Sequence, residues 1–385
     1  MIGRRQLPVS STISLLSLLR AVAPALGGGA PERAALDAEL RRAFGASGIA
    51  LTDSGTSALV IALRATTPAG GIVALPAYAC VDVGAAALFA SARVMLYDIN
   101  PNTLSPDLES VERVLGNGAR TVVVAHLYGY PADVPGVSAL ASAHGAAVIE
   151  DAAQGAWGSL SGTRLGAFGP LSVLSFGRGK GMTGSGGGSL LGIGARGREA
   201  LALAGSLPGA PAGARALATA AAQWALGRPA LYALPSAIPA LHLGETIYHP
   251  AHEPCAITGV SASLVRAALA RAEADLAVRR RNAEELVGAA AKVKSVRCIT
   301  PISGGVPGYL RLPIRVDAAR SMSVALGIVR GYPDTLAELT ELRSSLVGNE
   351  KIPGSLELQR TLVTIPTHAQ LTAGDIEKIS AWLVD

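Results

Sequence analysis

Residues 173–188 read Val173-Leu174-Ser175-Phe176-Gly177-Arg178-Gly179-Lys180-Gly181-Met182-Thr183-Gly184-Ser185-Gly186-Gly187-Gly188, a lysine framed by glycines just after an apolar run. A lysine kept from bulk water can lose its proton, form an imine with an aldehyde cofactor and later carry a proton. The glycines let the backbone pass close to such a cofactor, and Ser175 could hold a phosphate. The rival reading, a nucleotide-type phosphate loop, fails because Gly181 stands where Ser or Thr must follow the lysine.

Two further segments carry chemistry of the same kind. Val148-Ile149-Glu150-Asp151-Ala152-Ala153-Gln154 delivers a carboxylate at the end of an apolar run, where an acid needs a partner. A pyridinium nitrogen is such a partner: Asp151 would keep it protonated, and Gln154 could touch the phenolic side of the ring. An aspartate that caps the following helix is an equally open alternative. Ser54-Gly55-Thr56-Ser57-Ala58-Leu59 is a small-residue turn from a strand into a helix. Its backbone N–H groups, with the Thr56 and Ser57 hydroxyls, can bind a phosphate dianion, although on its own the tetrapeptide is better read as an ordinary N-cap.

Other polar residues nearby are read as structural. His126 ends a strand and is expected to be a hydrogen-bonded core histidine, and Trp157 is expected to pack. Arg311 and Arg315 could clamp a carboxylate, but the alternation around them favours a plain solvent-facing strand.

To position these groups the chain must bring several strand ends together. Apolar runs at residues 72–75, 93–97, 121–126, 146–150 and 171–176 alternate with segments of helical period, and residues 31–44 form a charged-faced helix. The pattern predicts an α/β fold with a mostly parallel sheet covered on both faces, residues 187–193 adding one strand that can be antiparallel. One long helix is expected from residue 262 to about 291, strands at 308–316 and 359–365, and a final helix over 372–383 begun by a Thr cap. We expect an N-terminal arm over residues 1–32, a large cofactor-binding domain over 33–244 and a smaller α+β domain over 245–385.

Composition narrows the function classes. Half of the 385 residues are apolar and only 16% are charged, enough for a large core. The net charge of +5 comes from Arg-rich helices with no basic patch interleaved with aromatics, so nucleic acid is not expected as a partner. Cys80, Cys255 and Cys298 lie far apart with no metal-ligand spacing, and no metal is expected. Arg4-Arg5 before the apolar run at residues 13–19 has the look of an export signal, but Arg20 ends the run after seven residues and a short amphipathic helix explains it. Residues 201–244 are acid-free, carry only Arg215 and Arg228 as formal charges, and are broken by Pro208, Pro211, Pro229, Pro235 and Pro239, against a membrane-spanning helix. A cytoplasmic chain is expected, and the two greasy segments are read as packing together or across a dimer, or else as a peripheral membrane contact.

From residue 38 to the C-terminus the sequence resembles the DegT/DnrJ/StrS aminotransferases. The resemblance rests on Ser54-Gly55-Thr56-Ser57-Ala58-Leu59, Leu75-Pro76-Ala77-Tyr78, Tyr97-Asp98-Ile99-Asn100-Pro101-Asn102-Thr103-Leu104, His126-Leu127-Tyr128-Gly129-Tyr130-Pro131-Ala132-Asp133, Ile149-Glu150-Asp151-Ala152-Ala153-Gln154, Ser175-Phe176-Gly177-Arg178-Gly179-Lys180 and Ile365-Pro366-Thr367-His368-Ala369-Gln370-Leu371-Thr372. It implies the aspartate-aminotransferase-like fold, a homodimer and pyridoxal 5'-phosphate. It also implies amino transfer from an amino acid, commonly glutamate, to a carbonyl acceptor such as a nucleotide-linked keto-sugar. A lipid-like acceptor and a non-catalytic cofactor-binding regulator are the alternatives.

Carried over, the resemblance puts the Schiff base on Lys180 and the pyridinium partner on Asp151, these two being the catalytic pair. Gly55, Thr56, Ser57, Cys80, Gln154 and Ser175 complete the cofactor set, with the phosphate on Thr56, Ser57 and Ser175. Lysine rather than histidine at 180 points away from the family's dehydratase branch. Three departures stand out: Cys80 occupies a ring-stacking position that is commonly aromatic, Ser185 replaces a glutamate, and Pro254-Cys255-Ala256-Ile257 replaces Asn-Tyr-Arg-Met. They leave the cofactor chemistry intact and imply a remodelled acceptor pocket.

Overall fold

The computed structural model describes residues 4–10, 12–203, 205, 207–210, 213–236, 238 and 246–384. The expected domain boundary at 244/245, and Pro211 and Pro239, fall outside them. The β-branched runs form strands β1 (Gly48–Thr52), β2 (Ile72–Pro76), β3 (Arg93–Tyr97), β4 (Thr121–Ala125) and β5 (Ala147–Asp151). A short ribbon of β6 (Ser159–Leu160) and β7 (Thr163–Arg164) precedes β8 (Leu171–Ser175) and β9 (Gly188–Gly192). The main sheet runs β1-β9-β8-β5-β4-β2-β3, and β9 alone is antiparallel to its neighbours β1 and β8. Apart from β1, which is only half-buried over Gly48–Leu51, its strands are mostly buried, as expected where helices cover both faces.

The helices packed on these strands are α2 (Ala30–Phe44), α3 (Gly55–Thr66), α4 (Val81–Phe89), α5 (Leu108–Gly116), α6 (Val134–Ala143) and α7 (Gly194–Leu203), while α1 (Leu15–Leu26) and α8 (Gly213–Leu226) pack on each other and the short α9 (Ala233–Ser236) follows. α3 is buried over seven consecutive residues from Ser57 to Leu63 because it packs on β8, β9 and α4 at once. The expected single helix after residue 262 is two, α10 (Gly259–Leu269) and α11 (Ala272–Ala290). The break at Ala270 and Arg271 lets α10 pack on α1 and α2 while α11 turns toward the chain's last helix.

A second sheet contains β10 (Arg297–Cys298), β12 (Leu312–Arg315), β13 (Val329–Arg330) and β14 (Leu362–Ile365), all antiparallel, while β11 (Gly305–Val306) joins β6. The strand expected over 359–365 is shorter, because Gln359 ends up in α12 (Pro353–Thr361), which has proline in its first turn. α13 (Ala373–Val384) closes the chain. The expected Thr cap is present: Asp375 N donates to the Thr372 hydroxyl, and Thr372 N donates to the Asp375 carboxylate.

The two greasy segments meet. Ile13, Leu18 and Ala21 pack with Ala220, Val260 and Leu264, so α1 lies on α8 and α10. One face of α1 remains outward, with Leu15, Leu16, Leu19, Val22 and Leu26 exposed. Among the described residues no helix is long and apolar enough to cross a membrane.

Gly188 shows why glycine is required where β9 begins. A Cβ there would lie 2.4 Å from the Ser54 carbonyl and 2.5 Å from Gly55 N. Gly188→Ala should therefore cost about 2 kcal/mol and lower the melting temperature, whereas Gly374→Ala, in open space in α13, should stabilise by about 0.5–1 kcal/mol. Thermal unfolding of the two variants checks the contrast, and equal melting temperatures would refute it.

Candidate active site

The strand ends meet as the sequence required. β1 leads into α3, whose N-cap Ser54 accepts from Ser57 N and donates to the Ser57 hydroxyl at 2.9 Å. Gly55 lies against the end of β8: a Cβ on it would sit 2.7 Å from Ser175 Cβ and 3.0 Å from Ser175 Oγ. The first turn of α3, with Gly55 and Thr56, therefore faces Ser175, and the Ser57 hydroxyl is buried behind it. Helix-start N–H groups and a hydroxyl converge there, a geometry suited to an anion.

β5 ends in two adjacent carboxylates whose side chains alternate across the sheet. Glu150 is fully buried and accepts from His126 Nε2, the backbone N–H groups of Gly166, Phe168 and Gly169, and the Ser172 hydroxyl. Ala132 N donates to His126 Nδ1, so the ring's proton is on Nε2 and points at Glu150. His126 is thus the core histidine expected, and it completes Glu150. Burial alone would raise the Glu150 pKa, but these donors hold it below the usual glutamate value.

Asp151 has a quite different environment. Its Oδ1 accepts only from Ala153 N among the described residues. Burial raises its pKa above the ordinary aspartate value, opposed by the Ala153 N–H and by the nearby Lys180 and His126. A carboxylate with so little protein solvation has capacity for a cationic N–H donor. The Ala153 contact also fulfils the local capping alternative, and the two roles are compatible.

Lys180 is half-buried, whereas Lys292, Lys294, Lys351 and Lys378 are exposed. It follows Gly179, whose φ of +76° requires glycine and which abuts Val9. The other loop glycines make room mainly for protein: Gly181 abuts Ala156, Gly187 abuts Ile257, and Gly188 abuts Ser54. Cys80 caps α4 and donates its thiol to Asp82 at 3.5 Å. Burial first, then Asp82, push that thiol up to about 12, so it stays protonated. Gln154 is held at both ends, accepting from Tyr128 N at 2.9 Å and donating to the Tyr332 hydroxyl at 2.7 Å.

Lys180 and Gln154 border a cavity of about 630 Å³. Its other walls were not legible in sequence. They come from Leu7, Pro8, Val9 and Ser10, from α8, and from Leu310, Arg311, Gly331 and Tyr332. Arg311 is not solvent-facing, as the alternation suggested. Burial lowers its pKa, and its Nε donates to the Pro8 carbonyl. Arg315 is inside too, bonded to Pro101, Asn102 and Glu357, because α12 and the loop at residues 101–102 cover that strand. Trp157 packs as expected, edge-on to Phe44 with the Arg164 guanidinium 4.1 Å over its ring. The segment replacing Asn-Tyr-Arg-Met pairs with the end of β1, through Asp53 N to Cys255 O and the Thr52–Ala256 bridge.

Residues 25–192 match the DegT/DnrJ/EryC1/StrS aminotransferase family, the span that holds α3, β5 and Lys180. That match covers less than half of the chain. It is 32% identical over 158 residues, 41% of this chain, to the UDP-N-acetyl-3-dehydro-alpha-D-glucosamine 3-aminotransferase of Acidithiobacillus ferrooxidans. It is 34% identical over 139 residues, 36% of this chain, to the L-glutamine:2-deoxy-scyllo-inosose aminotransferase of Streptomyces fradiae. The matches span 43% and 33% of those relatives' lengths. A family aminotransferase from Brucella abortus superimposes with a TM-score of 0.74 over 96% of this chain and 94% of its own, at 20% identity. The aspartate-aminotransferase-like fold thus extends over nearly the whole chain.

Glu150 supplies a test of the frame behind the site. A carboxyl held below its unfolded value of 4.5 stabilises the fold above that pH, and the benefit is lost as pH falls through the folded value. Glu150→Gln should cost about 3 kcal/mol at pH 7, and its gap to wild type should narrow below pH 4.5. Urea unfolding at neutral and acid pH measures both, and a gap that widens with acid would contradict the assignment.

Proposed function

We propose that this chain is a pyridoxal-phosphate-dependent aminotransferase that takes an amino group from an amino acid and gives it to a keto-sugar, most simply one linked to a nucleotide. The observation that carries this reading is the arrangement at the strand ends: the sole half-buried lysine, an under-solvated aspartate, and an anion cradle of α3 and Ser175. The residues fit the cofactor. The cradle of Gly55, Thr56, Ser57 and Ser175 suits its phosphate, Asp151 its pyridinium N–H, and Lys180 its aldehyde. The acceptor class is supported by the relatives, whose names specify a UDP-linked dehydro-sugar and an inosose, and the second relative names glutamine as donor.

When bound, pyridoxal phosphate supplies an aldehyde that captures amines and a ring that draws electrons from the substrate carbon. The protein's part is to hold and move protons. Asp151 keeps the ring nitrogen protonated. The Lys180 Nζ takes the proton from the donor's carbon and returns one to the acceptor's carbon. Gln154, fixed between Tyr128 and Tyr332, would contact the phenolic side of a bound ring. Cys80, uncharged at neutral pH, offers the ring a compact apolar contact in place of an aromatic face. A homodimer and a division into a large domain ending near residue 244 and a smaller one after it belong to the same proposal.

Wild type incubated with pyridoxal phosphate should turn yellow, lose that colour with glutamate or glutamine, and carry a borohydride-fixed cofactor on the peptide containing Lys180. Lys180→Ala should do none of these. Asp151→Asn should keep the cofactor but transfer amino groups slower by roughly a hundredfold or more. Full turnover with the cofactor fixed on another lysine, or unimpaired Asp151→Asn, would overturn the reading, and colour that no amine changes would favour a regulator.

A second reading concerns location. The outward Leu15, Leu16, Leu19, Val22 and Leu26 of α1, beside exposed Arg20, Arg215 and Arg228, support docking on an anionic membrane surface, where a lipid-linked acceptor would be found. Vesicles rich in anionic lipid should then carry the protein upward on flotation at low salt. Absence of co-flotation, with a dimer that light scattering shows to persist, assigns the stripe to the subunit interface instead.

A further inference from the structure

The cavity beside Lys180 is bordered by Arg178, Lys180, Arg311 and Arg330 and, among the described residues, by no acid. These four cations are not equivalent. Lys180 is reserved for the aldehyde under the reading above. Arg178 is exposed to solvent. Both terminal nitrogens of Arg330 are taken by carbonyls, those of Arg360 and Ala318. Arg311 differs from all of them: only its Nε is engaged, by the Pro8 carbonyl at 3.2 Å, which fixes the plane of the guanidinium and leaves its two terminal nitrogens without a protein acceptor among the described residues.

The groups around Arg311 cannot neutralise it. The titratable groups that influence its ionisation are the phenols of Tyr128, Tyr332, Tyr232 and Tyr78. Burial pushes Tyr128 up to about 12 and Tyr332 and Tyr78 well above the usual tyrosine range, so all stay neutral at physiological pH. Arg311 is half-buried, with no anionic partner among the described residues, so its charge is open to a ligand that enters the cavity. Its flat fork of donors matches the two oxygens of a carboxylate or a phosphate. The position is also close to the chemistry, since Arg311 N lies 3.5 Å from the Tyr128 carbonyl and Tyr128 N is held by Gln154.

We propose that Arg311 is the substrate anion-binding group of this cavity, taking two oxygens of a carboxylate or phosphate in bidentate fashion. The inference rests on the aminotransfer reading for the identity of the anion's carrier: the carboxylate of the amino donor, or the diphosphate of a nucleotide-linked acceptor. Lysine at this position would keep the charge and lose the fork.

The test is calorimetric titration of the pyridoxal-phosphate-loaded protein, in which the cofactor's own phosphate site is filled, with glutarate and, separately, with pyrophosphate. Neither probe has an amino group, so neither reacts. Arg311→Met should weaken at least one probe by roughly tenfold or more, with Arg311→Lys in between and melting like wild type. Loss for glutarate assigns the site to the donor, loss for pyrophosphate to the acceptor, and loss for both to a site shared in alternation. If Arg311→Met does not fold, Arg311→Lys carries the test through a loss of at least roughly threefold. Changes below threefold for both probes, or no binding of either to wild type, overturn the proposal. Wild type that binds a probe through Arg311 yet keeps its colour with every amino acid would instead overturn amino transfer and leave the anion site standing.

Discussion

The buried Glu150 carboxylate is the interaction on which the site's geometry rests. It gathers His126 from the end of β4, three backbone N–H groups from residues 166–169 and the Ser172 hydroxyl of β8. A charge in the interior is tolerated only when its acceptor capacity is filled, and here that requirement ties two neighbouring strands and a loop to β5. Because adjacent side chains on a strand face opposite ways, locking Glu150 on one side orients Asp151 on the other. The two acids thus differ, one satisfied by protein and the other accepting a single protein hydrogen bond among the described residues.

A second constraint is steric. The turn that starts α3, the end of β8 and the start of β9 approach so closely that Gly55 and Gly188 have no room for a side chain. Much of the glycine run around Lys180 therefore serves the approach of protein to protein, and only part of it opens space beside the lysine. That distinction separates this loop from a nucleotide phosphate loop, where the glycines wrap the phosphate itself.

Residues 6–10 are bound to the last third of the chain. Gln6 N donates to the Ala325 carbonyl, His368 Nε2 to the Leu7 carbonyl, Arg311 Nε to the Pro8 carbonyl and Gln370 to the Ser10 hydroxyl. Burial lowers the His368 pKa to about 4, so that link is made by a neutral ring at physiological pH. The segment thereby becomes a wall of the cavity, facing α8. This wall of the cavity lies outside residues 25–192, the span matched to the family.

Local sequence determined a good deal. The α/β class, the single antiparallel strand, the helix starts at Ser54 and Thr372 and the singular environment of Lys180 follow from periodicity, capping chemistry and residue type, which act over a few residues. The motifs that carry the resemblance are contiguous, so the expected cofactor set could be named from them. What only the tertiary structure decided were relations between distant residues. Alternation around Arg311 and Arg315 suggested a solvent-facing strand, but α12, residues 101–102 and the N-terminal segment cover it, and no local pattern encodes what will pack on a strand's outer face. The break between α10 and α11 likewise arises because the two halves pack on different partners. Asp151 and Glu150 are indistinguishable as neighbouring letters, and only the count of donors that the fold brings to each tells the structural acid from the one left available to a ligand.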